Sequence, residues 1–174
     1  MRIEAVSSLT YEQYKAFFHF LLFGRNRFLS LLFKAGIVFS MFLCAVIFGM
    51  FLGSGTGFFS LLLSIALPAA YGFAFFVLPK SVYSSGKKLY DAPIKYVFTE
   101  TQFVSHSQNE LFENTTTMKY ACIMKVYETP EYFFIFPDKS RAEIIHKSTF
   151  TVGTPYDLRF VLMNSLPRQS YITM

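Results

Sequence analysis

Two long stretches without a charged side chain constrain this chain more than any other feature of its sequence. They cover residues 35–53 and 57–78, and each is about as long as the roughly 20 residues that a helix needs to cross a bilayer. The alternative is a pair of buried helices in a soluble bundle, but such helices usually keep a polar stripe. We therefore predict two transmembrane spans that form a hairpin over residues 29–80.

The segment between the two stretches is a turn, Gly-Ser-Gly-Thr-Gly at residues 53–57. So short a connection places both ends of the hairpin on the same side of the membrane. Basic residues flank the hairpin on both ends and the turn carries no charge, so the positive-inside bias predicts a multi-pass protein of the cell membrane with both termini in the cytoplasm. The residues predicted to contact lipid head groups are Arg25, Arg27, Lys34, Lys80, Lys87 and Lys88.

The formal net charge of +5 is distributed unevenly along the chain. Residues 1–90 hold eight Lys or Arg against two acids, whereas residues 91–174 hold eight against nine. The basic character therefore belongs to the membrane flanks. A nucleic-acid-binding domain needs a basic face on its globular part, so we predict no nucleic-acid partner and expect the bilayer itself to be the partner of the basic residues.

Small residues recur at intervals of four in both predicted spans. If Gly55 is the pivot of the hairpin, residues whose numbers sum to about 110 lie at equal depth. Helices associate in lipid through close packing of small residues, so three pairs are predicted to form the seam: Gly36 with Ala74, Ser40 with Ala70, and Cys44 with Ala66. The alternative is that small residues are simply common in membrane helices.

The parts on either side of the hairpin have different patterns. Residues 1–28 predict an amphipathic helix that begins after Thr10, with Gln13 reaching back to the cap. Residues 91–174 predict a small antiparallel sheet domain closed by a C-terminal helix that starts at Thr154. The short β-branched and aromatic segments predicted as strands are 94–99, 102–106, 115–119, 125–128, 132–136 and 142–146. The predicted class is an α+β membrane protein.

A set of residues in the C-terminal part resembles a known family signature. It comprises Tyr120, Ile123, Val126, Glu128-Thr129, Tyr132-Phe133, residues 144–147 with the sequence Ile-Ile-His-Lys, and Phe150. This set looks like the C-terminal signature of the YcxB-like family, small bacterial membrane proteins of unestablished function. The resemblance implies a two-helix hairpin followed by a domain similar to pleckstrin-homology folds. It implies no catalytic residues.

Motifs of catalytic or metal chemistry are absent from the sequence. There is no phosphate-binding glycine loop, no nucleophile elbow and no His and Glu pair at helical spacing. Cys44 and Cys122 fall in different predicted domains without ligand spacing. We therefore predict no cofactor and no metal. Glu128 is the most interesting acid, and we interpret its role as fixing the turn at Thr129-Pro130 through hydrogen bonds to the backbone.

Two functions from different classes remain. The first is a non-enzymatic integral membrane protein that tethers a small cytoplasmic binding domain to the bilayer, where its ligand is another protein, a second copy of the chain or a lipid head group. The alternative is a membrane-embedded enzyme or a transporter accessory subunit. A polar pocket near the interface favours the alternative, and an exposed sheet edge or apolar patch favours the first.

Overall fold

Helices make up most of the described residues in the N-terminal half of the chain. Helix α1, Tyr11–His19, continues as a π-helical turn at Phe20–Gly24, and helix α2 follows at Arg27–Ser54. The cap of α1 is the predicted one, because Gln13 N–H donates to Thr10 Oγ1 while Thr10 N–H donates to Gln13 Oε1. The computed structural model describes residues 2–25, 27–54, 62, 65–66, 69–90, 92–108, 113–139 and 141–174.

Helix α2 is the one helix of the described residues that is long and apolar enough to span a bilayer, judged by length and composition over Ser30–Met50. The second predicted span, 57–78, is described at residues 62, 65–66 and 69–78. Its described end is helical and runs through a π-helical segment, Phe73–Val77, into helix α3, Leu78–Tyr90. The described chain therefore supplies one candidate span in place of the predicted pair.

The remainder of the chain forms two sheets and a C-terminal helix. One sheet has five strands in the order β4-β3-β2-β1-β8, and the other has four in the order β7-β6-β5-β9. All neighbouring strands are antiparallel except the pair β5 and β9. The strands are β1 Ile3–Ser7, β2 Ile94–Phe98, β3 Gln102–Gln108, β4 Glu113–Lys119, β5 Lys125–Glu128, β6 Tyr132–Phe136, β7 Glu143–His146, β8 Phe150–Val152 and β9 Tyr171–Thr173.

Strand β1 lies inside the five-stranded sheet although most of the helical half separates it from β2 in the sequence. It pairs with β2 over its full length, from Ile3 opposite Phe98 to Ser7 opposite Ile94, and with β8 on its other side. The chain accordingly divides into a β-rich unit, up to Gln13 together with Lys87–Met174, and a helical unit, Tyr14–Gly86. The predicted division into residues 1–28, 29–80 and 91–174 has to be redrawn, because the N-terminal strand belongs with the C-terminal sheet.

The core of the β-rich unit draws on both sheets and on helix α4, Pro155–Ser165. The helix contributes Leu158, Val161 and Leu162, all buried. It begins with the predicted cap at Thr154: the Thr154 hydroxyl accepts from Asp157 N–H, and the Asp157 carboxylate accepts from Thr154 N–H. Burial of the apolar face of α4 against the sheets provides most of its stabilisation. The largest buried side chains are aromatic: Tyr96, Tyr120, Phe98, Phe103, Phe133, Phe134 and Phe136.

The predicted α+β class is confirmed, with a helix-rich N-terminal part and antiparallel sheets. Each of the six predicted strands corresponds to an observed strand, from β2 through β7. The sequence did not predict β1, β8 or β9. Strands β8 and β9 have only three residues each, and β1 pairs with strands far away in the sequence.

Candidate functional site

A buried carboxylate, Glu128, lies at the end of strand β5 and is 1% exposed. Lys147 Nζ donates to Oε1 at 2.6 Å. Arg159 approaches with two nitrogens, Nη2 at 2.5 Å from Oε1 and Nε at 2.8 Å from Oε2. The Tyr171 hydroxyl donates to Oε2 at 2.5 Å. One carboxylate thereby joins β5, the turn after β7, helix α4 and strand β9.

The partners of Glu128 keep it ionised. Burial by itself would raise the pKa of the carboxyl, but hydrogen bonds from Arg159, Lys147 and Tyr171 outweigh it and lower the pKa from 4.5 to about 2. Burial and the adjacent carboxylate together raise the pKa of Tyr171 above its ordinary value. Two cations also lie over aromatic rings, Lys147 at 5.0 Å from the centre of Phe133 and Arg159 at 5.4 Å from that of Tyr156.

This arrangement suits a structural role for Glu128, in which the carboxylate links several elements, better than a catalytic role. A carboxylate offers about four acceptor positions, and the side chains of Lys147, Arg159 and Tyr171 occupy that many. A carboxyl with a pKa of about 2 is also a weak base at neutral pH. The Glu128 cluster, defined as Glu128, Lys147, Arg159 and Tyr171, therefore holds four elements together.

The role predicted for Glu128 from the sequence was wrong. The turn after β5 is held by Thr129, whose hydroxyl accepts from Tyr132 N–H at 3.0 Å and donates to Tyr132 O at 3.2 Å. A signal for the burial of Glu128 was present in the strand itself. Val126 and Glu128 are two residues apart and so point to the same face of β5, which places the acid beside a fully buried valine.

Aromatic side chains form the packing of the helical unit. Tyr71 meets the ring of Phe33 at 5.8 Å, and Phe75 meets the ring of Phe23 at 6.2 Å. A further ring contact joins Phe75 to His19 at 4.7 Å. An open groove of about 630 Å³ runs beside them and is lined almost wholly by apolar side chains, with Lys34 and Ser40 as polar members.

His19 lies in an environment that is unusual for a polar residue. Its Nε2 is buried and finds no hydrogen-bond partner among the described residues. Burial, with a smaller contribution from Lys15, lowers the pKa of the imidazole and so favours its neutral form. The ring packs against Phe75.

The structure describes the exposure of five of the six residues predicted to form the seam. On α2, Ser40 is buried, and Gly36 and Cys44 are half-buried. On the second helix Ala66 and Ala70 are exposed, while the side chain of Ala74 lies outside the described residues. A Cβ atom added to Gly36 would lie 2.7 Å from the Tyr71 hydroxyl, so Gly36 leaves room for the large side chain of Tyr71. The pairing of small residues across the two helices stays a prediction.

Gly36→Ala should destabilise the helical unit by about 1 kcal/mol, because the new methyl group would displace the Tyr71 hydroxyl. Adding Tyr71→Phe should restore stability, since the next ring atom is 3.7 Å away. Gly49→Ala is the matched control on the same helix, with nothing within 4 Å of its Cβ position. Thermal unfolding of the full chain in detergent measures the effect. Equal melting temperatures for the Gly36 and Gly49 variants would contradict this packing.

The basic residues predicted to contact head groups occupy surface positions where the structure describes them. Lys34, Lys80 and Lys87 are exposed, and Arg25 is half-buried. The side chains of Arg27 and Lys88 lie outside the described residues. Within the described chain no three His, Cys, Asp or Glu side chains come together to hold a metal ion.

Comparison of the chain with protein-family models, curated proteins and solved structures finds no match in any of the three. The resemblance to the YcxB-like family therefore stays a prediction. The class that the structure defines is an α+β protein with a β-rich unit, a helical unit and one candidate membrane helix.

Proposed function

We propose that this chain is a non-enzymatic membrane protein in which the helical unit anchors the β-rich unit to a bilayer and the β-rich unit serves as a binding domain. The observation that carries the proposal is the apolar surface of α2. Large exposed apolar surfaces are costly in water and are typical of membrane or protein contacts. Six large side chains of α2 are 64–67% exposed: Phe28, Leu31, Val38, Phe39, Met41 and Phe42.

The pairing of β1 with β2 supports an even number of membrane crossings. These strands are neighbours in one sheet, so the chain that leaves the β-rich unit after β1 returns to it before β2. A helical excursion into a bilayer must then enter and leave on the same side. Helix α2 would supply one crossing and residues 57–78 the other, with both termini in the cytoplasm as the basic flanks predict.

The Glu128 cluster supports a binding role over a catalytic one, because the one deeply buried acid among the described residues is already fully hydrogen-bonded. The order of parts also fits the YcxB-like resemblance, in which a hairpin is joined to a sheet domain closed by a C-terminal helix. The alternative, a membrane-embedded enzyme or a transporter accessory subunit, calls for a polar pocket. The open groove beside Lys34 and Ser40 does not favour it, because the lining of the groove is nearly all apolar.

Thiol labelling in intact cells tests the anchoring and its orientation. Cys122 lies in the β-rich unit and its thiol side chain is exposed, so a membrane-impermeant maleimide should label it only after permeabilisation. In a chain with Cys44→Ser, Cys122→Ser and Ser54→Cys, the same reagent should label position 54 without permeabilisation. The protein should also stay in the membrane fraction after an alkaline carbonate wash.

Two results would overturn the proposal. Release of the chain by carbonate would show that α2 does not anchor it. Labelling of Cys122 in intact cells, with no labelling at position 54, would reverse the orientation. Denatured samples of the two chains serve as the control for reagent activity, because Cys122 and the cysteine at position 54 should then both react.

A further inference from the structure

Strand β4 forms an outer edge of the five-stranded sheet. It is seven residues long, Glu113–Lys119, and contains neither proline nor glycine. Its inner edge pairs with β3 over its whole length, from Gln102 opposite Lys119 to Gln108 opposite Glu113. No strand of the described chain pairs with its other edge. Proteins commonly protect such edges because unpaired backbone groups invite another strand.

The hydrogen-bond pattern along β4 identifies the backbone groups that point away from β3. Tyr120 N–H donates to Thr101 O, which lies directly opposite it in the register of β3 and β4. In an antiparallel pair, hydrogen-bonded and non-hydrogen-bonded positions alternate. Met118, Thr116 and Asn114 therefore bond to β3. The N–H and C=O groups that point to the free edge belong to Glu113, Thr115, Thr117 and Lys119.

The side chains of the same four residues leave that edge accessible. Met118 packs against the core, so its neighbours on either side point to the outer face of the sheet. Glu113, Thr115, Thr117 and Lys119 are all exposed. The Glu113 carboxylate is 63% exposed and lies 3.9 Å from His106 Nε2, so it remains accessible to a cation from outside the chain.

The sequence of β4 is complementary to itself in one antiparallel register. A two-fold axis at Thr116 places Glu113 of one copy opposite Lys119 of the other, twice, and Thr115 opposite Thr117, twice. All of these positions carry outward backbone groups, so about eight backbone hydrogen bonds form. A register displaced by two residues places Glu113 opposite Thr117, or Lys119 opposite Thr115, and loses both charge pairs. Opposite charges stabilise cross-strand pairs, and isologous pairing of this kind is usual in two-fold dimers.

We propose that the chain forms a homodimer by antiparallel pairing of β4 with β4 of a second copy, centred on Thr116. In this dimer a second copy of the chain is the partner of the proposed binding domain. The dimer rests on the proposed function only in this respect, because sheet pairing does not require the bilayer. Its tests read association, whereas carbonate extraction and thiol labelling read anchoring, so the two proposals fail separately.

Charge reversal at the two ends of β4 tests the pairing in the full chain, purified in mild detergent. Glu113→Lys alone places lysine opposite lysine, and Lys119→Glu alone places glutamate opposite glutamate. Each variant should raise the dimer dissociation constant at least tenfold. An equimolar mixture of the two should recover pairing, because each copy then meets the opposite charge. Light scattering measures the mass, and energy transfer between labelled copies measures the mixing.

Cysteine trapping tests the register. With Cys44→Ser and Cys122→Ser, Thr116→Cys should form a disulfide between copies, because Thr116 faces itself at a non-hydrogen-bonded pair, where Cα atoms are about 4.5 Å apart. Thr115→Cys is the matched control and should not cross-link to itself, since it lies opposite Thr117. Thr117→Pro should abolish association without unfolding the unit, because its N–H is not used by β3.

Several results would overturn the dimer. A wild-type chain that stays monomeric at about 100 μM would do so. Charge-reversed variants that associate as tightly as the wild type, or a mixture with no recovery, would place any association at another surface. Cross-linking at position 115 in preference to 116 would exclude this register. Unchanged melting temperatures of the charge variants establish that lost association is not lost folding.

Discussion

Glu128→Gln should destabilise the β-rich unit by about 3 kcal/mol, because it removes the negative charge that two cations share and replaces one acceptor oxygen by an amide donor. The side chains of Lys147 and Arg159 are partly exposed, at 19% and 38%, so both can turn toward water. The expected loss of stability is therefore at the lower end of the range for breaking a buried ion pair. The chain has no tryptophan. Tyrosine fluorescence during urea unfolding therefore reports the change, with buried Tyr96 and Tyr120 as probes.

Glu131→Gln is the matched control, since Glu131 is exposed and only three residues away. It should change stability by less than about 0.5 kcal/mol. If the two variants unfold at the same urea concentration, the Glu128 cluster does not hold the unit together. Restoration of stability in Glu128→Gln by a second change that removes one of the cations would support the view that the two cations share the charge of Glu128.

Low pH should reproduce this loss of stability in the wild-type chain. The folded pKa of Glu128, about 2, lies below its ordinary value of 4.5, so the stabilisation is fully present above about pH 4.5 and disappears as the pH falls toward 2. The cations opposite the carboxylate keep their charge throughout this window. Urea midpoints measured between pH 6 and pH 2.5 should converge for the wild type and Glu128→Gln. A constant difference across this range would contradict the depressed pKa.

Ile3→Ala should destabilise the β-rich unit by about 2–5 kcal/mol, although Ile3 lies at the N-terminal end of the described chain. Its side chain is 1% exposed and belongs to the core shared by both sheets. It also lies 3.2 Å from the position that a Cβ on Gly153 would take, in the turn before α4, where the backbone is left-handed with a φ of +76°. Truncation leaves a cavity that these neighbours cannot fill without moving the strand.

Val6→Ala is the matched control on the same strand. Val6 points to the opposite face and is 40% exposed, so its truncation should cost less than about 1 kcal/mol. Hydrogen exchange of amides in β2 measures the local effect and should accelerate in the Ile3 variant alone. If β2 stays equally protected in both variants, β1 is not an integral strand of this sheet.

The strands and helix of the C-terminal part could be predicted because each carries its own local signal. The six central strands are rich in β-branched and aromatic residues, and Thr154 with Asp157 marks the start of α4. Strand β1 has the alternating burial of an ordinary half-buried strand. Its sequence, Ile-Glu-Ala-Val-Ser, nevertheless gave no indication that its partner begins at Ile94. Pairing across so long an interval is a property of the sheet, not of the segment.

The candidate site shows the same difference between what a local sequence pattern predicts and what folding decides. Glu128 stood out in the sequence as an acid beside a turn, but its partners Lys147, Arg159 and Tyr171 come from three other elements that only folding brings to it. In the helical unit, the four-residue spacing drew attention to Gly36, Ser40 and Cys44 on α2. It gave no indication that the Tyr71 hydroxyl would lie beside Gly36.

The sequence by itself determined the apolar character of α2, the α+β class and the location of most strands, because hydrophobic period and turn residues act over a few neighbours. Only the tertiary structure decided that the N-terminal strand lies within the C-terminal sheet, that Glu128 is buried among three donor side chains, and that no described strand pairs with the outer edge of β4. These features depend on contacts between residues far apart in the chain, and a local pattern carries no information about which distant partner will satisfy a strand or a charge.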